Sequence, residues 1–198
     1  MDAVVVYESL WGNTAAIARA IARGLGNGAV ALPTDKATPA VLAHARLVVA
    51  GAPVHAMNLP TEASRKSAMA KTYGRPGLHA DVSHPSIRQW LEDLGPSSVH
   101  CAAFETGIRG PLGHGAARAI LARLGSLGYV PLDEPHTFTV ALVTGSAEPG
   151  ALLLGGQEEK AMHWGEHLAR SLAASQNDGV PAPTSRGATR ADKPHPGQ

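Results

Sequence analysis

The chain is 198 residues long, 44% hydrophobic and only 4% aromatic, with 17 Lys and Arg against 16 Asp and Glu and a formal net charge of +1. That length holds one domain with a proper core plus a tail, and the balanced charge excludes the basic stripe of a dedicated nucleic-acid binder. Its one cysteine, Cys101, excludes an intrachain disulfide and a four-cysteine metal site, and no run approaches the ~20 apolar residues of a membrane span.

Apolar runs and helical patterns alternate along the chain. Ala3–Tyr7 is almost continuously hydrophobic, the pattern of a parallel strand covered on both faces. A short polar loop follows. Ile17, Ala18, Ile21, Ala22 and Leu25 then recur at helical spacing up to the stops Gly24 and Gly26. Ala29–Leu32 reads as a second strand, Pro39–Ala45 as a short helix with Thr38 as N-cap, and Leu47–Gly51 as a third strand ended by Pro53. The connection from Thr61 to His84 is long and locally basic (Arg65, Lys66, Lys71, Arg75), with a short helix over Thr61–Ala70 capped by Thr61. Pro85–Leu94 is a helix with Pro85 in its first turn and Ile87, Trp90, Leu91 and Leu94 facing inward. Val99–Phe104 is the fourth strand, with Cys101 a small buried residue within it. Gly115–Leu127 is a helix stopped by Gly128, Phe138–Val143 the fifth strand, and Gln157–Ala174 the last helix, with Ala161, Trp164, Leu168 and Leu172 on one face. Beyond Ser175 the prolines 181, 183, 194 and 196 and scattered polar residues cannot bury a face, so a disordered tail over 175–198 is expected behind a domain spanning 1–174.

Strand and helix alternating five times predict an α/β fold: a doubly wound, five-stranded parallel sheet with helices on both faces. In the order 2-1-3-4-5, winding reverses between strands 1 and 3, and ligands bind outside the strand carboxyl ends at that point.

The loop Ser9-Leu10-Trp11-Gly12-Asn13-Thr14 lies there. A strand that breaks into a small polar loop and restarts as a helix turns N–H groups inward and adds the helix's positive end, which makes an anion site. Ser9 and Thr14 supply hydroxyls, Asn13 an amide, and Gly12 a backbone that can turn closely; no Lys or Arg lies inside the loop. Val5, Val6, Tyr7, Ser9, Gly12, Thr14, Ala18 and Ile21 together resemble the N-terminal signature of the flavodoxins. The resemblance implies the flavodoxin-like fold and a loop that wraps the monophosphate of FMN. It further implies that Ala52, Pro53, Val54 and His55 after strand 3, with Met57 and Asn58 beyond them, and Thr106 and Gly107 after strand 4, lie at the flavin ring.

The chain departs from the family in two ways. It is not acidic, and neither ring loop carries the Trp or Tyr that sandwiches the ring in many flavodoxins. These loops look more like those of flavodoxin-family proteins of actinobacteria than like those of the electron carriers. The expectation is therefore an FMN-binding redox protein, transferring electrons or reducing a small acceptor, with a redox protein or NAD(P)H as partner. The alternatives are a flavodoxin-like NAD(P)H:quinone oxidoreductase and a non-catalytic module that binds FMN weakly or not at all. The N-terminus enters strand at once without a basic region or cleavage site, so a cytoplasmic location is expected.

Two motifs are set aside. His163-Trp164-Gly165-Glu166-His167 has the spacing of a zinc-binding helix, but Trp164 and Leu168 mark its buried face and turn both histidines to solvent. Gly24–Gly28 follows a helix, whereas a dinucleotide fingerprint must follow a strand.

Overall fold

The computed structural model describes residues 2–26, 28–70, 80–142 and 151–177. The expected tail beyond 177, Lys71 and Arg75 of the basic connection, Asn27 and Val143 lie outside them.

β1 (Ala3–Tyr7), β2 (Val30–Pro33), β3 (Leu47–Pro53), β4 (His100–Ile108) and β6 (His136–Leu142) form a parallel sheet in the order β2-β1-β3-β4-β6. This is the doubly wound arrangement expected from the alternation. Two short strands enlarge it. β5 (Val130–Pro131) pairs with the start of β4, and β7 (Ala151–Leu153) adds an antiparallel edge to β6. Such an edge is common on parallel sheets.

Side chains alternate to opposite faces, and each face is buried by helices. Val5, Val49, Phe104 and Phe138 meet α1 (Asn13–Leu25) and α6 (Gln157–Asn177). Val4, Val48, Cys101 and Ala103 belong to the opposite cluster, with α4 (Ile87–Asp93), α5 (Ala116–Ser126) and the four-residue α2 (Pro39–Leu42). Burial pushes the Cys101 thiol up to about 11, so it packs as an inert small residue.

Gly24 is not the expected stop. It lies inside α1, where a Cβ would overlap the Met162 carbonyl of α6, and Gly165 meets Ile21 in the same way. The two helices cross at backbone contact, and Gly26 ends α1 with φ 60°. Thr61 does cap α3 (Glu62–Ala70), accepting the Ser64 N–H at 3.1 Å. Pro85 precedes α4 rather than entering it. Ser86 is the N-cap, its side chain accepting the Gln89 N–H at 3.1 Å. α3 packs Ala68 with Ala80 over Leu10, and the Asp81 N–H donates to the Leu10 carbonyl at 2.9 Å. The long connection thereby folds back onto the loop that follows β1.

Candidate functional site

The polar loop starts one residue past β1. The Glu8 N–H still bonds the Gly51 carbonyl at 3.0 Å, after which the chain turns away from the sheet. Ser9 Oγ accepts the Gly12 N–H at 3.1 Å. Gly12 takes φ 89°, a left-handed conformation that glycine adopts without penalty, and serves as N-cap of α1. Thr14 therefore lies inside the first turn of the helix. Its buried Oγ1 lies 2.8 Å from Thr106 Oγ1 of β4, which ties the start of α1 to the sheet. Each hydroxyl has one donor and two acceptor sites. In the Thr14–Thr106 pair one O–H is spent, and the accepting hydroxyl keeps its proton for a ligand. Ser9 likewise keeps its proton while accepting from Gly12. The Gly12 amide, by contrast, is satisfied inside the loop and is not one of the donors offered to an anion.

The second loop is a tight hairpin. His55 and Asn58 exchange backbone hydrogen bonds of 2.9 and 3.0 Å around Ala56 and Met57, whose φ angles are 49° and 62°. A two-residue turn with both centres left-handed normally carries Asn and Gly. Two L-residues there store strain of the kind found at functional sites. The turn is braced from behind: a Cβ on Gly115 would overlap the Met57 carbonyl. His55 Nδ1 lies 3.0 Å from Ser64 Oγ on α3.

The third segment departs from expectation. The fourth strand does not end at Phe104 but runs to Ile108, pairing Glu105–Ile108 with Thr137–Val140 of β6. Thr106 and Gly107 are thus strand residues. The chain then folds back through a 3-10 turn at Pro111–Gly113, so close that a Cβ on Gly107 would overlap the Gly113 carbonyl.

These three segments enclose one cavity of about 600 Å³. Of the residues expected at the site, Ser9, Leu10, Trp11, Asn13, Thr14, Pro53, Val54, His55, Met57, Thr106 and Gly107 line it. Ala52 does not; it is fully buried in the core beneath. Gly12 lines the adjoining crevice instead. Asn58 turns its amide oxygen to the Leu59 N–H at 2.7 Å and stays out of the cavity. Sequence reasoning missed Ile108 and Val140, partners in register on β4 and β6, and Leu112, a 63% exposed leucine whose placement in a glycine-rich loop was the available signal.

Two buried glutamates anchor the loops. Glu8, fully buried, receives the Arg65 guanidinium from α3 and the Ile87 N–H at 2.9 Å. Arg65 also donates to the Val82 and His84 carbonyls at 3.2 and 2.6 Å. Glu105 accepts the Gly115 and Ala117 N–H groups at 3.0 and 2.9 Å and the Thr137 hydroxyl at 2.8 Å, with His114 Nδ1 3.1 Å away. The His163 and His167 side chains are exposed on α6, and no group of three or more metal-ligating residues occurs among the described residues.

No protein-family model and no curated protein matches the chain. Solved structures do. It resembles a flavodoxin from the domain Archaea at 17% identity and TM-score 0.58, over 87% of this chain and 99% of that one. A flavodoxin of Streptococcus pneumoniae TIGR4 aligns at 16% identity and TM-score 0.55, over 88% and 99%. The flavodiiron core Flv1 of Synechocystis aligns at 14% and 0.53, over 88% of this chain but 36% of that one. The chain has the flavodoxin-like fold.

Proposed function

We propose that this flavodoxin-like chain binds FMN in the cavity between β1, β3 and β4 and acts as a redox protein, passing electrons to a partner protein or reducing a small acceptor. The cavity's polarity carries this reading. Ser9, Asn13, Thr14 and Thr106 line one part beside the α1 N-terminus, whereas Val54, Met57, Ile108, Leu112 and Val140 line much of the remainder, with His55 the polar side chain among them. Among the described residues, no Lys, Arg, Asp or Glu lines the cavity. A flat, largely apolar ring joined to a phosphate matches that division, and the volume falls in the range of small-ligand sites. FMN supplies one- and two-electron chemistry when bound. The chain's own part is to hold the phosphate with hydroxyls and the α1 dipole, to set the Thr106–Ile108 and Val54–Met57 backbones at the ring, and to keep water off its apolar faces.

Among the described residues, Trp11 is the one Trp, Tyr or Phe in the lining. A ring–ring contact is worth about 0.5–1.5 kcal/mol beyond burial, so more of the binding rests on the phosphate end here than in a site with two stacking aromatics. Among the described residues no helix is long and apolar enough to cross a membrane, and a cytoplasmic site of action belongs to this reading.

Titration with FMN and with riboflavin tests it. The purified protein is expected to quench FMN fluorescence at micromolar concentration and to show a flavin band near ~450 nm. Thr14→Val removes one hydroxyl at the phosphate end; FMN affinity falls about tenfold and riboflavin affinity holds. Equal loss for both flavins rejects the phosphate role. A colourless protein that quenches neither leaves a non-catalytic module. NADH or NADPH oxidation by the FMN-loaded protein, with a quinone present, separates an oxidoreductase from a carrier.

A further inference from the structure

A second cavity of about 540 Å³ adjoins the first across the Ser9–Gly12 loop. Ser9, Leu10 and Trp11 line both. Where the first cavity faces β3 and β4, the second faces β2: its other residues include Tyr7, Gly12, Ala15, Arg19, Pro33 and Asp35. We propose that this second cavity takes an adenylate group joined to the flavin phosphate, so that the cofactor occupying both cavities is the dinucleotide FAD. The proposal rests on the flavin reading above and extends it.

Three observations carry it. Ala15 and Arg19 stand four residues apart on α1 and so share one helix face. Ala15 leaves room, and Arg19 stands one turn further on. Arg19 is exposed and makes no hydrogen bond or ion pair among the described residues. A guanidinium beside the phosphate loop is suited to bidentate binding of a second phosphate, which a site for FMN alone does not need.

The acidic group is Asp35, exposed just past the end of β2 and 3.1 Å from Lys36. In doubly wound dinucleotide sites, the ribose hydroxyls meet a carboxylate about 20 residues beyond the phosphate loop. The other carboxylate, Asp81, is already engaged by the Ser83 N–H and hydroxyl at 3.0 and 2.6 Å, which hold its carboxyl below the ordinary range. Asp35 is therefore the carboxylate placed for a ribose.

The third observation is the wall of Ser9, Leu10 and Trp11 that the two cavities share. Gly12 has no atom within 4 Å of where a Cβ would stand. The half-buried Trp11 forms part of the shared wall, and aromatic faces stack on bases.

The test is calorimetric titration of the full chain with FMN, FAD and AMP, repeated on Arg19→Ala and Asp35→Asn. Both residues are exposed and outside the first cavity, so both variants are expected to fold and to bind FMN as before. FAD is expected to bind about tenfold more tightly than FMN, each substitution is expected to remove most of that advantage, and AMP is expected to compete with FAD and not with FMN. Equal affinities for the two flavins, or an FAD advantage that survives both substitutions, overturns the proposal and leaves the flavin site standing. So does AMP that competes only with NADH on the FMN-loaded protein, which assigns the cavity to a hydride donor. Absence of binding by either flavin removes the flavin reading and this proposal with it.

Discussion

Glu8 and Glu105 solve one problem in two ways. Each is a buried carboxylate on the sheet side of a helix start, and each takes backbone N–H groups there: Ile87 of α4 for Glu8, Gly115 and Ala117 at the start of α5 for Glu105. Each thereby ties a helix start to the sheet beside the loops of the cavity. The difference lies in what balances the charge. Glu8 faces a guanidinium whose side chain is only 7% exposed, brought in by the connection after β3. Glu105 relies on hydrogen bonds, with His114, half in solvent, as its titratable neighbour. A buried charge needs a partner or a full set of donors; the β1 end takes the first solution and the β4 end the second.

Removing Arg65 tests the contrast most severely. Arg65→Met leaves Glu8 buried without its cation, and a loss of about 3–5 kcal/mol in unfolding free energy is expected, read by urea denaturation. Adding Glu8→Gln to that variant should recover part of the loss, because the orphaned charge is gone; no recovery would mean that the pair is not coupled. Glu105→Gln is the matching change at the other end. The amide keeps the shape, but its NH2 must face either the α5 amides or the Thr137 hydroxyl. A smaller cost of about 1–3 kcal/mol is expected, and equality with the Arg65→Met loss would erase the distinction.

Gly115→Ala ties the second anchor to the cavity. The new Cβ collides with the Met57 carbonyl at a residue whose φ is 125°. FMN affinity should fall by roughly tenfold, an effect of about 1–3 kcal/mol on a strained backbone, with Arg65 and Glu8 undisturbed.

The smallest expected effect concerns pH and lies at neither anchor. His136 stacks on Trp164 with ring centroids 4.8 Å apart. Burial, against the pull of Asp133 and aided by His167 and Lys160, holds it below its ordinary value of 6.5. The unfolded chain then binds a proton more readily than the folded one, so stability is full above pH 6.5 and declines as pH falls toward the lowered value. His136→Phe should flatten that slope in thermal melts between pH 7 and 5. An unchanged slope would show that the titration does not lie at His136.

What the sequence disclosed follows the range of the interactions. The Ser9–Thr14 loop was legible because strand, turn and helix start are contiguous and their chemistry is local. The sheet order was legible because the alternation of apolar runs and helical stripes leaves few topologies. Neither glutamate anchor was, since Arg65 lies 57 residues from Glu8 and Thr137 lies 32 residues from Glu105. The end of β4 was misread for a physical reason. Gly107 and Gly110 punctuate it like a loop, but Gly107 sits in the sheet opposite Thr139 and is glycine because Gly113 presses against it. Gly24 misled in the same way: helix–helix contact, not termination, explains it.

Ser9 holding the Gly12 amide has one further consequence. A turn closed by its own side chain is preorganised. Little conformational entropy is left to lose when a ligand arrives, and the free and loaded forms of this segment should superimpose. Discrimination between phosphorylated and unphosphorylated ligands then falls to the hydroxyl protons that remain unspent, a margin a single methyl-for-hydroxyl exchange can measure.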